Sequence, residues 1–243
     1  MWKSRTSYDA AALVEEVGRA RARLDFDRGR YGHCISLPAA DDLAAQYRTH
    51  PNNLPFAGAL AECPTLRRIF DALEAEKASF RLLRRGPGTA YGIHDDRDKG
   101  AGVVRFQLPI VTNPCAFLVA QRAGVRLDGL AERVDEVRAA GELRFDFRRF
   151  VRTFGDWFDL FALPPGFLYR FDTDALHTAI NAGDRERIVL GIDLIANDWL
   201  ADWLAREFTT PVPPVRVSEL PDASWEWTSL AHGLIANPVA PPP

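Results

Sequence analysis

The amino-acid sequence predicts a mainly β fold, a sandwich or barrel carrying helices on its outside. Across residues 79–195 about seven to nine short apolar segments recur, alternating or rich in β-branched residues, with Gly, Pro and Asn signals between them. Amphipathic helical patterns flank this region on both sides. The strand–helix–strand rhythm of a doubly wound parallel sheet is missing.

Residues 7–24 predict a helix: Leu13, Val14, Val17, Ala20 and Leu24 recur at steps of three and four, with Ser7 as N-cap and Asp9 in the first turn. Residues 25–40 read as irregular, and 41–47 as a short helix ended by the polar run before Pro55. A better helix covers 65–78, with Leu66, Ile69, Phe70 and Leu73 as its apolar stripe and Pro64 where an early proline is tolerated. At Ser79 the texture turns to strands. The segment SFRLLRR leads into Gly86-Pro87-Gly88, a turn signal, and residues 98–102 form a second turn. Residues 103–112 predict a strand whose alternation puts Arg105, Gln107 and Pro109 on one face and Val104, Phe106, Leu108 and Ile110 on the other. Polar side chains there mean either a solvated pocket or an edge strand.

Residues 115–121 are the next strand. A short amphipathic helix at 128–140 reads as an insertion between strands, the kind that forms lids or interfaces. Residues 142–153 alternate again, and Trp157, Phe158, Leu160 and Phe161 are a dense apolar group before Pro164-Pro165-Gly166. Strands follow at 167–172, 177–181 and 187–195. Asn197 caps a final helix over 198–208. The proline-rich tail holds Trp225 and Trp227, so it is expected to lie along the body or across a second copy, as a homodimer. The organisation expected is one integrated domain: a helical elaboration at 1–78, a core at 79–196 with an insertion near 122–141, and a helix and tail at 197–243.

Composition narrows the function classes. The chain has 243 residues, 47% hydrophobic, enough for a sizeable core. Its net charge is −3 without a long Lys/Arg run, so nucleic acid is not the expected partner. No apolar run approaches the ~20 residues of a membrane span. Acidic residues stand where a signal peptide needs an apolar stretch, so a cytoplasmic location is expected. Cys34, Cys63 and Cys115 are odd in number and lack a CxxC, which argues for small buried thiols rather than disulfides or zinc.

The chemistry centres on YGIHDDRD, residues 91–98. On an extended segment His94 and Asp96 project to the same side, and Asp95 to the other. Downstream, His177 is followed ten residues later by Arg187. Two imidazoles and one carboxylate, leaving other positions open, are the ligand set of a non-haem Fe(II) facial triad. An H-x-D triplet alone is weak; its bland reading is a turn with a solvated histidine. Asp172 and Asp174 read as turn residues, and Arg185, after Gly183-Asp184, as a solvated rival to Arg187. His33, His50 and His232 stand alone and read as surface or packing residues. Gly86-Pro87-Gly88 is no phosphate loop, lacking a following lysine and helix. Arg97, Arg122 and Trp157 are candidates to meet a substrate, against bland readings as solvated loop cations and a core tryptophan.

Three segments in order carry a resemblance: FRLLRRGPGTAYGIHDD, VRFQLPIVTN and LPPGFLYRFDTDALHTAINAGDRERIVLGIDL. Over residues 79–196 the chain resembles the aspartyl/asparaginyl/proline hydroxylase-like branch of the Fe(II)/2-oxoglutarate-dependent dioxygenases. The resemblance implies a double-stranded β-helix, a cupin-like jelly roll, with iron in its mouth held by His94, Asp96 and His177. It implies that Arg187 pairs with the distal carboxylate of 2-oxoglutarate and that Arg105 lies near the co-substrate's other end. Gln107 stands where many relatives have His. The implied activity is hydroxylation of an unactivated C–H of an amino acid, an amino-acid residue of a peptide or a related small metabolite, using O2. The rivals are a cupin-like metal-binding or sensor protein without oxidation, and a jelly roll serving assembly alone.

Overall fold

Alternation along the chain becomes eleven strands, three α-helices and a 3-10 turn at Ala59–Glu62 among the described residues of the computed structural model, which are 1–21, 24, 34–38, 58–90, 93–97, 102–125, 151 and 154–216. The strands are β1 (Trp2–Ser7), β2 (Cys34–Ser36), β3 (Lys77–Arg85), β4 (Thr89–Ala90), β5 (Val103–Val111), β6 (Ala116–Gln121), β7 (Phe158–Ala162), β8 (Phe167–Arg170), β9 (His177–Asn181), β10 (Arg187–Ile195) and β11 (Thr210–Pro211). The helices are α1 (Ala10–Ala20), α2 (Pro64–Ala72) and α3 (Asp198–Glu207). The short helix expected at 41–47, the insertion helix at 128–140, most of the alternation at 142–153, the turn at 98–101 and the tryptophans of the tail lie outside the described residues, as do His33, His50 and His232.

Two antiparallel sheets face each other, one in the order β11-β1-β8-β5-β10-β3-β2 and the other β4-β9-β6-β7. From β3 onward the pairs are nested: β3 with β10, β4 with β9, β5 with β8, β6 with β7. The chain is one long hairpin rolled up, closed by the further pairs β5–β10 and β6–β9. Eight strands wound this way in two sheets are a jelly roll, the double-stranded β-helix. β5 lies between β8 and β10, so it is a central strand and not an edge.

The register sorts the side chains. Phe106, Leu108 and Ile110 on β5, Phe80 and Leu82 on β3 and Ile188, Leu190, Ile192 and Leu194 on β10 leave the barrel and pack under the helices. They meet Leu13, Val17 and Ala20 of α1, Leu66, Ile69 and Phe70 of α2 and Leu200 of α3. Burying each such side chain contributes about 1.5–3 kcal/mol, so the helices cover the larger sheet for good energetic reason. Their alternates, among them Arg81, Arg85, Arg105, Gln107, Arg187 and Asp193, face the interior between the sheets. β10 is therefore covered on both faces, and its mostly apolar run reflects that.

Local chemistry explains where the elements begin. Asp9, not Ser7, is the α1 N-cap, its carboxylate accepting from the Ala12 N–H at 3.0 Å; the stretch before it becomes β1, drawn into pairing with β8. Val14 leaves the stripe and is 45% exposed. α2 ends at Ala72, short of the expected 78, because Lys77 starts β3 opposite Leu194. The buried Lys77 Nζ then donates to the Leu73 carbonyl at 2.6 Å, satisfying a backbone group the helix end leaves open. Cys34–Ser36 forms β2 in a stretch that reads as irregular, and the apolar group at 158–162 is β7. Gly166 turns the chain into β8 at φ 87, where a Cβ would lie 2.8 Å from the Tyr8 carbonyl. Cys63 and Cys115 are free and buried, and no described helix is long and apolar enough to cross a membrane.

Glu16 caps a helix other than its own. From inside α1 its buried carboxylate accepts from the N–H groups of Thr65 at 2.8 Å and Leu66 at 3.2 Å, at the start of α2. A carboxylate on a helix N-terminus is stabilised by the open donors and the helix dipole together. Glu16→Ala is expected to destabilise the fold by about 1–3 kcal/mol, and Glu16→Gln by less, as read by urea denaturation.

Candidate metal centre

The smaller sheet sets two imidazoles side by side. Past β4 the chain runs antiparallel to the start of β9, and His94 and His177 exchange both backbone bonds: His94 N–H to the His177 carbonyl at 3.0 Å, His177 N–H to the His94 carbonyl at 2.8 Å. Their ring centroids are 4.3 Å apart. Asp96 follows, its N–H donating to the Thr173 carbonyl at 2.9 Å, which folds the carboxylate back toward both rings. One Asp96 oxygen lies 3.8 Å from His94 Nε2 and the other 3.6 Å from His177 Nε2. One ligand atom from each of the three residues falls within 4.8 Å of the others, the only such His/Cys/Asp/Glu group among the described residues.

The electrostatics keep the His177 ring neutral. His177 Nδ1 lies 3.0 Å from the Ala175 carbonyl, an acceptor only, so Nδ1 carries the proton and Nε2 presents a lone pair toward Asp96. Burial pushes the His177 imidazole down to about 4, with His94 acting in the same direction and Asp96 against it. The ring is thus neutral near pH 7 and ready to ligate. Phe171 packs edge-on against it at 5.1 Å, part of an apolar wall with Leu118, Phe161 and Tyr169 that keeps water from this side. A buried neutral histidine has a stability signature. The folded value lies below the ordinary 6.5, so only the unfolded chain takes up the proton as pH falls through that window. Metal-free protein is expected to lose up to about 3 kcal/mol between pH 6.5 and 4, and His177→Phe to lack this component in paired denaturation series.

Across the barrel, β5 and β10 supply the cations. The Arg105 guanidinium is buried and pairs with Asp96 through Nη1, and with both oxygens of Asp193 through Nε at 2.6 Å and Nη2 at 2.8 Å. Arg187, on the same face of β10 as Asp193, has no carboxylate partner among the described residues. Its Nη2 donates to Gln107 Oε1 at 3.4 Å, a long bond. Burial pushes the Arg187 guanidinium down to about 9, with Arg85 adding to it. Arg85 sits directly opposite on β3, and like charges across an antiparallel pair repel. Two guanidinium groups therefore meet at the start of β10, one of them buried. Asn181 fixes this corner: its amide donates to the carbonyls of Arg85, Gly86 and Arg185 at 3.2, 2.9 and 2.8 Å, tying the ends of β3 and β9 to the turn before Arg187.

The three remaining candidates stand in other surroundings. Arg97 is an exposed side chain that pairs with Asp95, so the two flank Asp96 on the outward side. Arg122 donates to Asp159 at 3.0 Å and to the Gly155 carbonyl at 3.0 Å. Trp157 is partly buried against the group containing Phe154 and Phe158. Arg185, the rival to Arg187, is a 72% exposed side chain. Two interior residues escaped the reading of the sequence. Asp193 is the one acid inside the apolar strand RIVLGIDLI, and a lone acid in such a strand must find a cation. Arg85 is half of an Arg-Arg doublet, and only the register shows which of the two turns inward.

A scan against protein-family models finds none that matches, and no curated protein matches the sequence. Several solved structures are similar. Apo HygX from Streptomyces hygroscopicus aligns over 95% of this chain and 93% of its own, at 11% identity and a TM-score of 0.46. A Pseudomonas putida prolyl-4-hydroxylase aligns over 81% and 88%, at 16% identity and 0.40. A cupin domain from Bordetella pertussis Tohama I aligns over 51% and 88%, at 15% identity and 0.30. With these three scores below 0.5, the roll stands on its strand order and the chemistry on its side chains.

Proposed function

We propose that the chain is an Fe(II)- and 2-oxoglutarate-dependent dioxygenase that hydroxylates an unactivated C–H of an amino acid, an amino-acid residue or a related small metabolite. The observation that carries the proposal is the pairing of two features inside one barrel: a His94–Asp96–His177 cluster and a buried Arg187 without a carboxylate partner among the described residues. The donor set fits Fe(II), being two imidazole nitrogens and one carboxylate oxygen, with no thiolate to favour softer ions. Arg187 fits an acid. A buried guanidinium is costly unless paired, and its planar fork matches a carboxylate in two-point fashion. A dicarboxylate with one end at the cluster and the other at Arg187 answers both needs.

When bound, Fe(II) with O2 supplies the oxidation, 2-oxoglutarate leaving as succinate and CO2 and one oxygen atom entering the substrate C–H bond. The protein's share is positioning. His94, Asp96 and His177 would hold the ion on one side, Arg187 would fix the distal carboxylate, and Gln107 would turn its amide N–H toward the co-substrate while its oxygen accepts from Arg187. The apolar wall at Phe171, Phe161 and Leu118 would keep water from the reacting side. His94, 25% exposed at its side chain, marks the side open to substrate.

Purified protein given Fe(II), ascorbate and 2-oxoglutarate should release succinate, and His94→Ala and Arg187→Ala should abolish that release. Unchanged turnover in both variants sinks the assignment. A metal-binding protein without oxidation is the second reading, and it is favoured by Gln107 as an internal partner for Arg187. Thermal stabilisation by Fe(II), with nothing added by 2-oxoglutarate or N-oxalylglycine, would select it.

A further inference from the structure

The geometry points to Asp193 and Arg105 as a positioning pair for the metal carboxylate: Asp193 anchors Arg105, and Arg105 holds Asp96 Oδ2, the oxygen on the His177 side, so that the ion is offered Oδ1, 3.8 Å from His94 Nε2. This rests on the metal-binding reading above and reassigns Arg105 from the co-substrate to the metal side of the site.

Three observations carry it. First, each of the three guanidinium nitrogens of Arg105 meets a carboxylate, Nε and Nη2 on Asp193 and Nη1 on Asp96. A fork so engaged is a brace between two acids, not an anchor waiting for a third; Arg187, with its single long bond to Gln107, is the contrasting case. Second, the brace is built into the larger sheet. Ser79, Asp193 and Arg105 stand opposite one another across β3, β10 and β5. Ser79 Oγ donates to Asp193 at 2.8 Å, and Arg81 approaches the same carboxylate at 3.7 Å. Three strands therefore fix where the guanidinium lies. Third, Asp96 needs such a brace. His94 and His177 are set by their mutual backbone pair at the start of β9, in the smaller sheet, and by the Ala175 carbonyl just before it. Asp96 lies beyond any strand; the bond to the Thr173 carbonyl turns its backbone toward the rings, and the side-chain torsions are left for the brace to set. The two imidazoles are thus placed from one sheet and the carboxylate from the other.

The chemical consequence concerns coordination number. A carboxylate with both oxygens free can close on an ion with both and fill a position that a bidentate 2-oxo acid and O2 require. Holding one oxygen in a charge-assisted bond leaves a one-oxygen ligand and an open face. A merely structural role for the pair, neutralising buried charge, makes no such demand on the metal.

The test uses the full chain and Co(II), whose visible spectrum reports coordination number. Asp193→Asn keeps shape and removes the anchoring charge. The pair Arg105→Met with Asp193→Leu removes both ends of the ion pair together, taking one partner each from Arg81 and Asp96. Both are expected to weaken Co(II) binding about 10–100-fold, the usual effect of losing an outer-shell partner. The visible bands should also lose intensity as Asp96 closes with its second oxygen. Arg105→Lys should restore part of the affinity but not the parent spectrum. Folded variants that bind Co(II) within about twofold of the parent, with unchanged bands, overturn the proposal. Should both variants fail to fold, Ser79→Ala takes one bond from Asp193; a shifted spectrum supports the brace and an unchanged one overturns it. A parent protein that binds no Co(II) brings down the metal centre and the brace together. A parent that binds Co(II) normally but never turns over 2-oxoglutarate brings down the dioxygenase reading alone.

Discussion

Arg187→Met is expected to make the metal-free protein more stable while removing its affinity for 2-oxoglutarate. Both effects come from one buried charge. In the free protein the guanidinium is desolvated, faces Arg85 across the β3–β10 pair, and has a neutral glutamine at 3.4 Å as partner. Methionine of similar length keeps the packing and removes the charge, so unfolding free energy should rise by about 1 kcal/mol or more. The same change deletes the cation the distal carboxylate needs. The 2-oxoglutarate dissociation constant should rise about 100-fold, within the range for truncating a buried charged pair. Co(II) affinity should stay near the parent value, because Arg187 takes no part in the His–Asp–His cluster. Thermal melts of the apo protein and calorimetric titration of 2-oxoglutarate check the two halves separately. A variant that melts earlier and still binds 2-oxoglutarate contradicts the reading of Arg187 as a site for an acid.

Asp96→Ala and Asp95→Ala should part company just as sharply. Asp96 is 7% exposed and meets both imidazoles and Arg105, while the adjacent Asp95 turns outward to Arg97. Removing Asp96 takes away the one anionic ligand of the cluster. Metal affinity should fall by about 1000-fold or more, well past the 10–100-fold that outer-shell changes cost. The fold should survive, because Arg105 keeps its bidentate pair with Asp193. Removing Asp95 should leave metal affinity unchanged and alter stability by no more than about 0.5 kcal/mol, as exposed ion pairs do. Equal losses in the two variants would mean that the wrong carboxylate has been assigned.

Much of this architecture was legible in the chain. The alternation at 103–112 put Arg105 and Gln107 on one face, and β5 keeps that division, with the polar face inside the barrel. Asn197 caps α3 as its position before an apolar stripe suggests, its side-chain Oδ1 accepting from the Leu200 N–H at 2.8 Å. Legibility failed where a neighbour decides the outcome. β1 and β2 owe their existence to partners β8 and β3, not to strong patterns of their own. The early end of α2 reflects the pull of Lys77 into pairing with Leu194. The partners of Arg105 were invisible for the same reason. Asp193 lies 88 residues away, and nothing local to either residue announces that a register brings them level. Asp96 is nearer, but its approach depends on the Thr173 carbonyl that bends the chain back.

The nested pairing of the roll also orders events in time. Ser79 meets Asp193 at a sequence separation of 114, so the row that braces Asp96 closes only when the outermost strands of the hairpin come together. Such distant pairings slow folding more than they cost in equilibrium, since loop-closure entropy rises only about 0.6 kcal/mol per doubling of length. In the unfolded chain His94 and Asp96 are close, but His177 is distant and Arg105 is not yet locked in place. An ion that meets the chain early therefore finds half a site. Its binding energy is added to the closed roll alone, where it opposes opening rather than hastening closure. The supply of metal should thus set how long a folded molecule lasts, and leave untouched how quickly a new one forms.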